Sequence, residues 1–259
     1  MTVSFKKPPI NEVALGYTFL VRPDLLIPHL GRFWAEILDA YPNCQHALPI
    51  VDGADLGVLG DLPLPRIWFV SADNTRLVQL QQDRLIFNWR DVGEGRSYVR
   101  FPAIRAEFER VRDLFQKYVE SVTDQPIVAT GYNLTYVNII RRIENCSSVD
   151  DVGMVFPDLL WRGEKRFLPR PIEQAWKAKF ALPNDFGTIL ADVQPAKLVK
   201  GNDAILKFEL TALSGSLGGR PIDFGEWVQV AHDWIVHSFT DLTGDEMHSK
   251  VWLLDDGGE

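Results

Sequence analysis

Apolar and polar residues change period several times along this chain, and each change marks an element. Val13, Leu15, Tyr17, Phe19 and Val21 alternate with other residues and predict a strand over 13–21. Beyond Pro23 the spacing lengthens. Leu26, Leu30, Phe33, Trp34, Ile37 and Leu38 recur at threes and fours, which predicts a helix from about Pro28 to just before Pro42. The Gly-, Pro- and Asp-rich stretch 43–65 reads as loop. Three short strands follow at 67–71, 75–81 and 85–90, joined by the turn formers Ala72-Asp73-Asn74 and Gln82-Asp83. Ile104, Phe108, Val111, Phe115, Tyr118 and Val122 then fall on one helical face, and a strand over 127–140 closes the first half.

The second half repeats the end of that order. Strands are predicted at 174–182, 186–194 and 204–213, then a long helix at 224–242 and a last strand at 250–254. Strand-strand-strand-helix-strand thus occurs twice, at 66–140 and 172–254, and suggests internal duplication from pattern alone, without residue-level identity. The short turns make the meanders antiparallel, so the predicted class is α+β: two mostly antiparallel sheet units with helices packed on one face. The predicted division is an N-terminal unit over 1–141, a junction over 142–171 and a C-terminal unit over 172–259, with one compact domain as the alternative.

Composition narrows the functional classes. The 259 residues are 46% hydrophobic and 24% charged, as in ordinary globular proteins, and the net charge is -8. An excess of carboxylates argues against general nucleic-acid or anionic-membrane binding, which uses surplus Lys and Arg. No apolar run reaches the ~20 residues that span a bilayer. With no signal peptide in its first residues and only Cys44 and Cys146 as thiols, the chain is expected to be cytoplasmic, with both cysteines reduced.

Candidate chemistry is sparse. The glycine-rich run 215–219 before the last helix, with Arg220 after it, could help an anion, but it lacks the Walker and Rossmann spacings. His232-Asp233 resembles the metal pair of all-helical phosphohydrolases, yet its companion ligands are missing, Asp233 and His237 read as a solvated pair, and no metal or cofactor is expected. No nucleophile elbow or Cys/His frame occurs. The more informative polar residues lie inside strands. Gln79 and Gln81 alternate with Val78 and Leu80, Asn88 and Arg90 with Phe87 and Trp89, and Asn133 and Thr135 with Leu134 and Tyr136. In register, these rows would form one polar binding face; a solvent-facing antiparallel sheet gives the same pattern. Lys177, Lys179, Asp192, Lys207 and Glu209 read as charge pairs on a wet face of the second unit.

The segments WFVSADNTRLVQLQQDRLIFNWRD with Tyr98 after it, Tyr136-Val137-Asn138, and HDWIVHSFTDLTGDEMHSKVW resemble a sporadically distributed family of uncharacterised bacterial proteins of about this length. The resemblance runs from Glu12-Val13 to Trp252. That family has no established activity, so it supplies no catalytic residue; it implies a bacterial cytosolic protein and puts weight on Ser71, Asp73, Gln79, Asn88, Trp89, Asn138, His232 and His248. The candidate binding set is therefore Asp73, Gln79, Asn88, Arg90, Asn133, Asn138, Arg220, His232 and His248. Three functions stay open. A non-catalytic binding or partner protein is preferred, because no cluster of nucleophile, base or metal ligands stands out. The others are a small-molecule-sensing module with a pocket between sheet and helix, and an enzyme of unrecognised type. The expected partner is a protein or a second copy of the chain, with a small molecule as the alternative.

Overall fold

The alternation that predicts the first strand also decides which sheet face the helices cover. In the computed structural model, residues 4–50, 65–93, 98–141, 152–161, 165–169, 171–198, 203–215 and 222–255 are described. Arg220, Cys146 and most of the glycine-rich run lie outside them. The class is α+β with antiparallel strand pairing. The described residues group into two units, one built on Glu12–Asn133, the other on the chain up to Asn11 with Leu134–Gly215 and Ile222 onward. The division falls at 133/134, inside a strand, whereas the sequence suggested a junction at 142–171.

The N-terminal unit holds β1 (Ile10–Phe19), α1 (Ile27–Ile37), β2 (Asn43–Ala47), β3 (Arg66–Val70), β4 (Arg76–Gln81), β5 (Arg84–Arg90) and α2 (Phe101–Thr123). Its strands lie in the order β2-β3-β4-β5-β1. Val13, Leu15, Tyr17 and Phe19 on β1 share a face with Leu85 and Phe87 on β5, Val78 and Leu80 on β4, and Phe69 on β3. All nine are buried. Both helices pack here: Phe33 of α1 meets Phe69 at 6.3 Å and Phe115 of α2 at 5.0 Å, and Tyr17 meets Phe108 at 6.2 Å. Helix α2 ends at Asp124, whose left-handed backbone lets its N–H reach the Glu120 carbonyl. The stretch read as loop contains β2. Its residues Asn43 to His46 are exposed on both faces, so no alternation announces it.

The C-terminal unit holds most of β6 (Ala129–Arg141), α3 (Val152–Val155), a 3-10 turn at Pro157–Leu159, β7 (Trp176–Ala181), β8 (Thr188–Lys197), β9 (Ala204–Leu213) and α4 (Phe224–Leu242). Its sheet order is β6-β9-β8-β7. Asp223 caps α4 by accepting the Glu226 N–H at 2.9 Å. The helix packs on β8 and β9 through Trp227, Val228, Ala231, Ile235 and Phe239. Trp234, which spacings of seven from Trp227 and three from Ala231 would place on the buried side, is 38% exposed. At 100° per residue the stripe centres near Ala231 and Ile235, which puts Trp234 about 90° to its side.

The strand expected at 250–254 is instead a π-helix over Met247–Trp252. Met247 and Trp252 are both buried, five residues apart, which suits i→i+5 bonding better than the alternation of a strand. Only Leu254 forms a bridge, to Phe5, while Lys6 and Lys7 donate their N–H groups to Leu253 and Trp252 at 2.9 Å. Phe5, Phe239, His248 and Trp252 form one aromatic cluster beneath this clasp.

Phe115 and Trp227 are fully enclosed, so replacing either by Ala should cost about 3 to 5 kcal/mol, whereas Trp234→Ala should cost under ~1.5 kcal/mol. Urea midpoints of the three variants check this order; equal losses at Trp227 and Trp234 would contradict it.

Candidate functional site

The face of the N-terminal sheet turned away from α1 and α2 carries the polar members of each strand. Register sets Gln45 of β2 beside Trp68 of β3, Trp68 beside Gln79 of β4, Gln79 beside Ile86 of β5, and Ile86 beside Gly16 of β1. Asn133 extends that row. A Cβ on Gly16 would stand 2.9 Å from Asn133 Oδ1 and 2.8 Å from Ile86 Cγ1, closer than real Cβ atoms approach, so the row closes only with glycine there. Of the candidate residues, Gln79, Asn88, Arg90 and Asn133 therefore share one face.

At its centre is a buried chain of side-chain hydrogen bonds. Asn88 Nδ2 donates to Glu12 Oε1, and Gln79 Nε2 donates to Asn88 Oδ1 at 2.6 Å. Gln79 and Asn88 are only 7% and 2% exposed. Among the described residues Gln79 Oε1 has no partner, and neither does the indole Nε1 of Trp68 next to it. In the flanking row Gln81 brackets Ile50: its Oε1 accepts the Ile50 N–H at 2.9 Å and its Nε2 donates to the Ile50 carbonyl at 3.0 Å. Arg84, which pairs with Gln81, is held by Asp83 at 2.8 Å.

Arg66 stands two residues before Trp68, on the same face. Its guanidinium carbon lies 5.4 Å from the Trp68 ring centroid, and its Nε is buried without an acceptor among the described residues. No ion pair reaches it among the described residues. Desolvation by burial, with the charge of Arg84 nearby, holds the Arg66 pKa below the ordinary arginine value. An anion would relieve both effects.

The other candidates sit elsewhere. Asp73 builds the β3–β4 turn: its Oδ1 accepts from Ser71 Oγ at 2.7 Å and from the Thr75 N–H and hydroxyl at 3.1 and 2.8 Å, with Asn74 in the left-handed region. Arg90 donates to the Asn74 carbonyl at 3.1 Å and fixes the same turn. Asn138 is 2% exposed and donates to the Phe208 carbonyl at 3.2 Å. Half-buried His232 meets the Tyr136 ring and lies 3.6 Å from Asp233. His237 bonds the Asp233 backbone carbonyl at 2.7 Å rather than the carboxylate, and Asp233 accepts from Gln229.

His248 is 6% exposed. Thr243 spends its hydroxyl proton on the Phe239 carbonyl, so at 2.7 Å from that hydroxyl the His248 Nε2 is the donor and carries the ring proton. Burial depresses the pKa of both His232 and His248, against the opposing pull of a neighbouring aspartate.

Glu12, Arg66 and Trp68 were missed as candidates. Their signal was parity: each alternates with an apolar core residue of its own strand. Among the described residues no group of three or more His, Cys, Asp or Glu could hold a metal ion, and no helix is long and apolar enough to cross a membrane. Comparison of the chain with family models, curated proteins and solved structures finds no match.

Asn88→Asp would set a carboxylate against Glu12, and we expect a loss of about 3 to 5 kcal/mol that Glu12→Gln largely restores in the double variant. Additive losses in chemical denaturation would deny the bridge. For the histidines the sign is set by their depressed folded pKa: the unfolded chain binds protons first, so their contribution is whole above pH ~6.5 and falls as pH drops below it, by up to about 1.4 kcal/mol per pH unit for each. Urea midpoints at pH 7.5 and 5.5 should therefore converge in a His232→Gln/His248→Gln variant; an unchanged gap would assign the acid sensitivity to other groups.

Proposed function

We propose that the chain is a non-catalytic binding protein that engages a partner protein through the helix-free face of its N-terminal sheet. The observation that carries this reading is Arg66, a cation that no ion pair reaches among the described residues, stacked near Trp68, whose own indole N–H lacks an acceptor among them. Arg66 and Trp68 stand two residues apart on one strand face, both half-buried, and a carboxylate set against the accessible part of the guanidinium would neutralise its charge. The buried Glu12–Asn88–Gln79 chain locks the strands beneath, so Arg66 and Trp68 are presented by a rigid support. With a net charge of -8, long-range attraction would not steer an acidic partner, and recognition would rest on short-range contacts.

A second reading, a small-molecule module, is supported by a pocket of about 270 Å³ in the C-terminal unit, between α3 and the distal ends of β8 and β9. Val152, Ile205 and Leu206 give it apolar walls, with Trp161, Gln174 and Lys197 as polar or aromatic members.

Internal duplication belongs to the same proposal, in a shifted phase. In each unit a three-strand meander, β3-β4-β5 or β7-β8-β9, is followed in sequence by a long helix and flanked in the sheet by an earlier strand, β1 beside β5 and β6 beside β9, while β2 is an extra strand of the N-terminal unit. In this phase a strand after α4 has no counterpart to match, in keeping with the π-helix there. The resemblance to the bacterial family and a cytoplasmic location remain part of the proposal.

The test uses a glutamate-rich peptide as probe, with NMR of the tryptophan side-chain N–H groups as readout. The Trp68 resonance should shift on titration, and Arg66→Gln should remove the shift while leaving the fold intact. No shift, or one equal in Arg66→Gln, would refute the carboxylate site.

A further inference from the structure

Among the described residues the strand order ends on β2 in the N-terminal unit and on β7 in the C-terminal unit, and these two edge strands are equipped differently. An edge strand exposes unpaired N–H and C=O groups, and proteins that stay monomeric commonly guard it with lysine or proline. β7 carries Lys177 and Lys179, both exposed, in the sequence WKAKFA. Within β2, Asn-Cys-Gln-His-Ala has no lysine, arginine, carboxylate or proline, and its first four residues are exposed; Pro42 and Pro49 flank the strand and limit the pairing to its five residues. Leu48, just beyond it, is 84% exposed.

We infer that β2 is a self-association edge, through which two copies of the chain pair antiparallel about a twofold axis at Gln45. This inference is independent of the proposed carboxylate site. An antiparallel pair with all five residues in register sets Asn43 against the partner's Ala47, Cys44 against the partner's His46, and Gln45 against the partner's Gln45. No pair brings like charges together, and the central glutamines can exchange amide hydrogen bonds. The same operation on β7 would set its cationic lysines close across the junction, which is unfavourable. The twofold pairing is also closed, so it stops at a dimer. Because Gln45 stands beside Trp68 in register, the partner's Gln45 would continue the row that runs from Trp68 to Gln79. The dimer would carry two such rows on one continuous sheet face.

Charge exchange at the axis tests this with the full chain. Sedimentation equilibrium, with loading up to about 200 µM to reach weak dimers, should show the mass rising from 29.4 kDa toward twice that value. Gln45→Lys and Gln45→Glu, each exposed and harmless to the fold, should weaken dimerisation by about fivefold or more, since like charges then face each other. An equimolar mixture of the two variants should dimerise again. In a Cys44→Ser/Cys146→Ser background, Gln45→Cys should cross-link on mild oxidation and Lys177→Cys should not. A mass fixed at that of one chain over the whole range would overturn the inference. So would Gln45→Lys dimerising as tightly as the parent chain, or a mixture no tighter than the separate variants.

Discussion

The hydrogen-bond bridge from Glu12 through Asn88 to Gln79 is the constraint around which the N-terminal sheet is arranged. An amide buried to 2% exposure must satisfy its polar atoms inside the protein, and Asn88 does so with a carboxylate on β1 and an amide on β4. Both partners stand on strands beside β5, so the bridge holds only in the observed register. A slip of one residue on either strand would turn Glu12 or Gln79 to the opposite face and leave Asn88 unsatisfied. The apolar side enforces the same register, since that slip would also expose Val13, Leu15, Tyr17 and Phe19.

The helix-free faces of the two units differ in what they do. In the C-terminal unit that face is wet: Lys177 lies 2.8 Å from Asp192 across β7 and β8, and Lys207 lies 2.7 Å from Glu209 along β9. Such exposed pairs add little stability and leave few unsatisfied groups. The N-terminal face is largely buried and polar, and a buried polar face costs free energy wherever a donor or acceptor goes unfilled. Among the described residues, Gln79 Oε1, Trp68 Nε1 and Arg66 Nε are three such atoms within two neighbouring rows. They distinguish that face from a merely solvated one.

Most of the fold was legible because burial imprints a period on the sequence. The stripe of α2 and the alternation of β1, β4, β5 and β9 each have a buried side and a less buried one, and residues such as Phe108 and Phe115 report it directly. The readings failed where that contrast vanishes. β2 is exposed on both faces, so Asn43–Ala47 has no alternation to read. The π-helix buries Met247, His248 and Trp252 at a spacing that fits neither 2.0 nor 3.6 residues, and Val251 and Leu253 mimic a strand. Trp234 shares the general side of Trp227, but α4 faces β8 and β9 along a line through Ala231 and Ile235. The polar face was half legible. Gln79, Asn88, Arg90 and Asn133 follow from parity, whereas the partnership with Glu12 needs β1 to lie beside β5, a long-range pairing that no local pattern contains.

The chemistry of that face bears on what it can do. Amides hold no transferable proton near neutral pH, and a guanidinium keeps its charge throughout the range in which proteins work. Gln79, Asn88, Trp68 and Arg66 can therefore offer hydrogen bonds and one positive charge, but no base and no nucleophile. Glu12, which could take a proton, accepts from the buried Asn88 amide, and moving it would break the bridge that sets the register. In the proposed role as a recognition face, the rigidity of such a row reduces the entropy lost on association. Acid–base catalysis would ask it to give up the bond that keeps it in place.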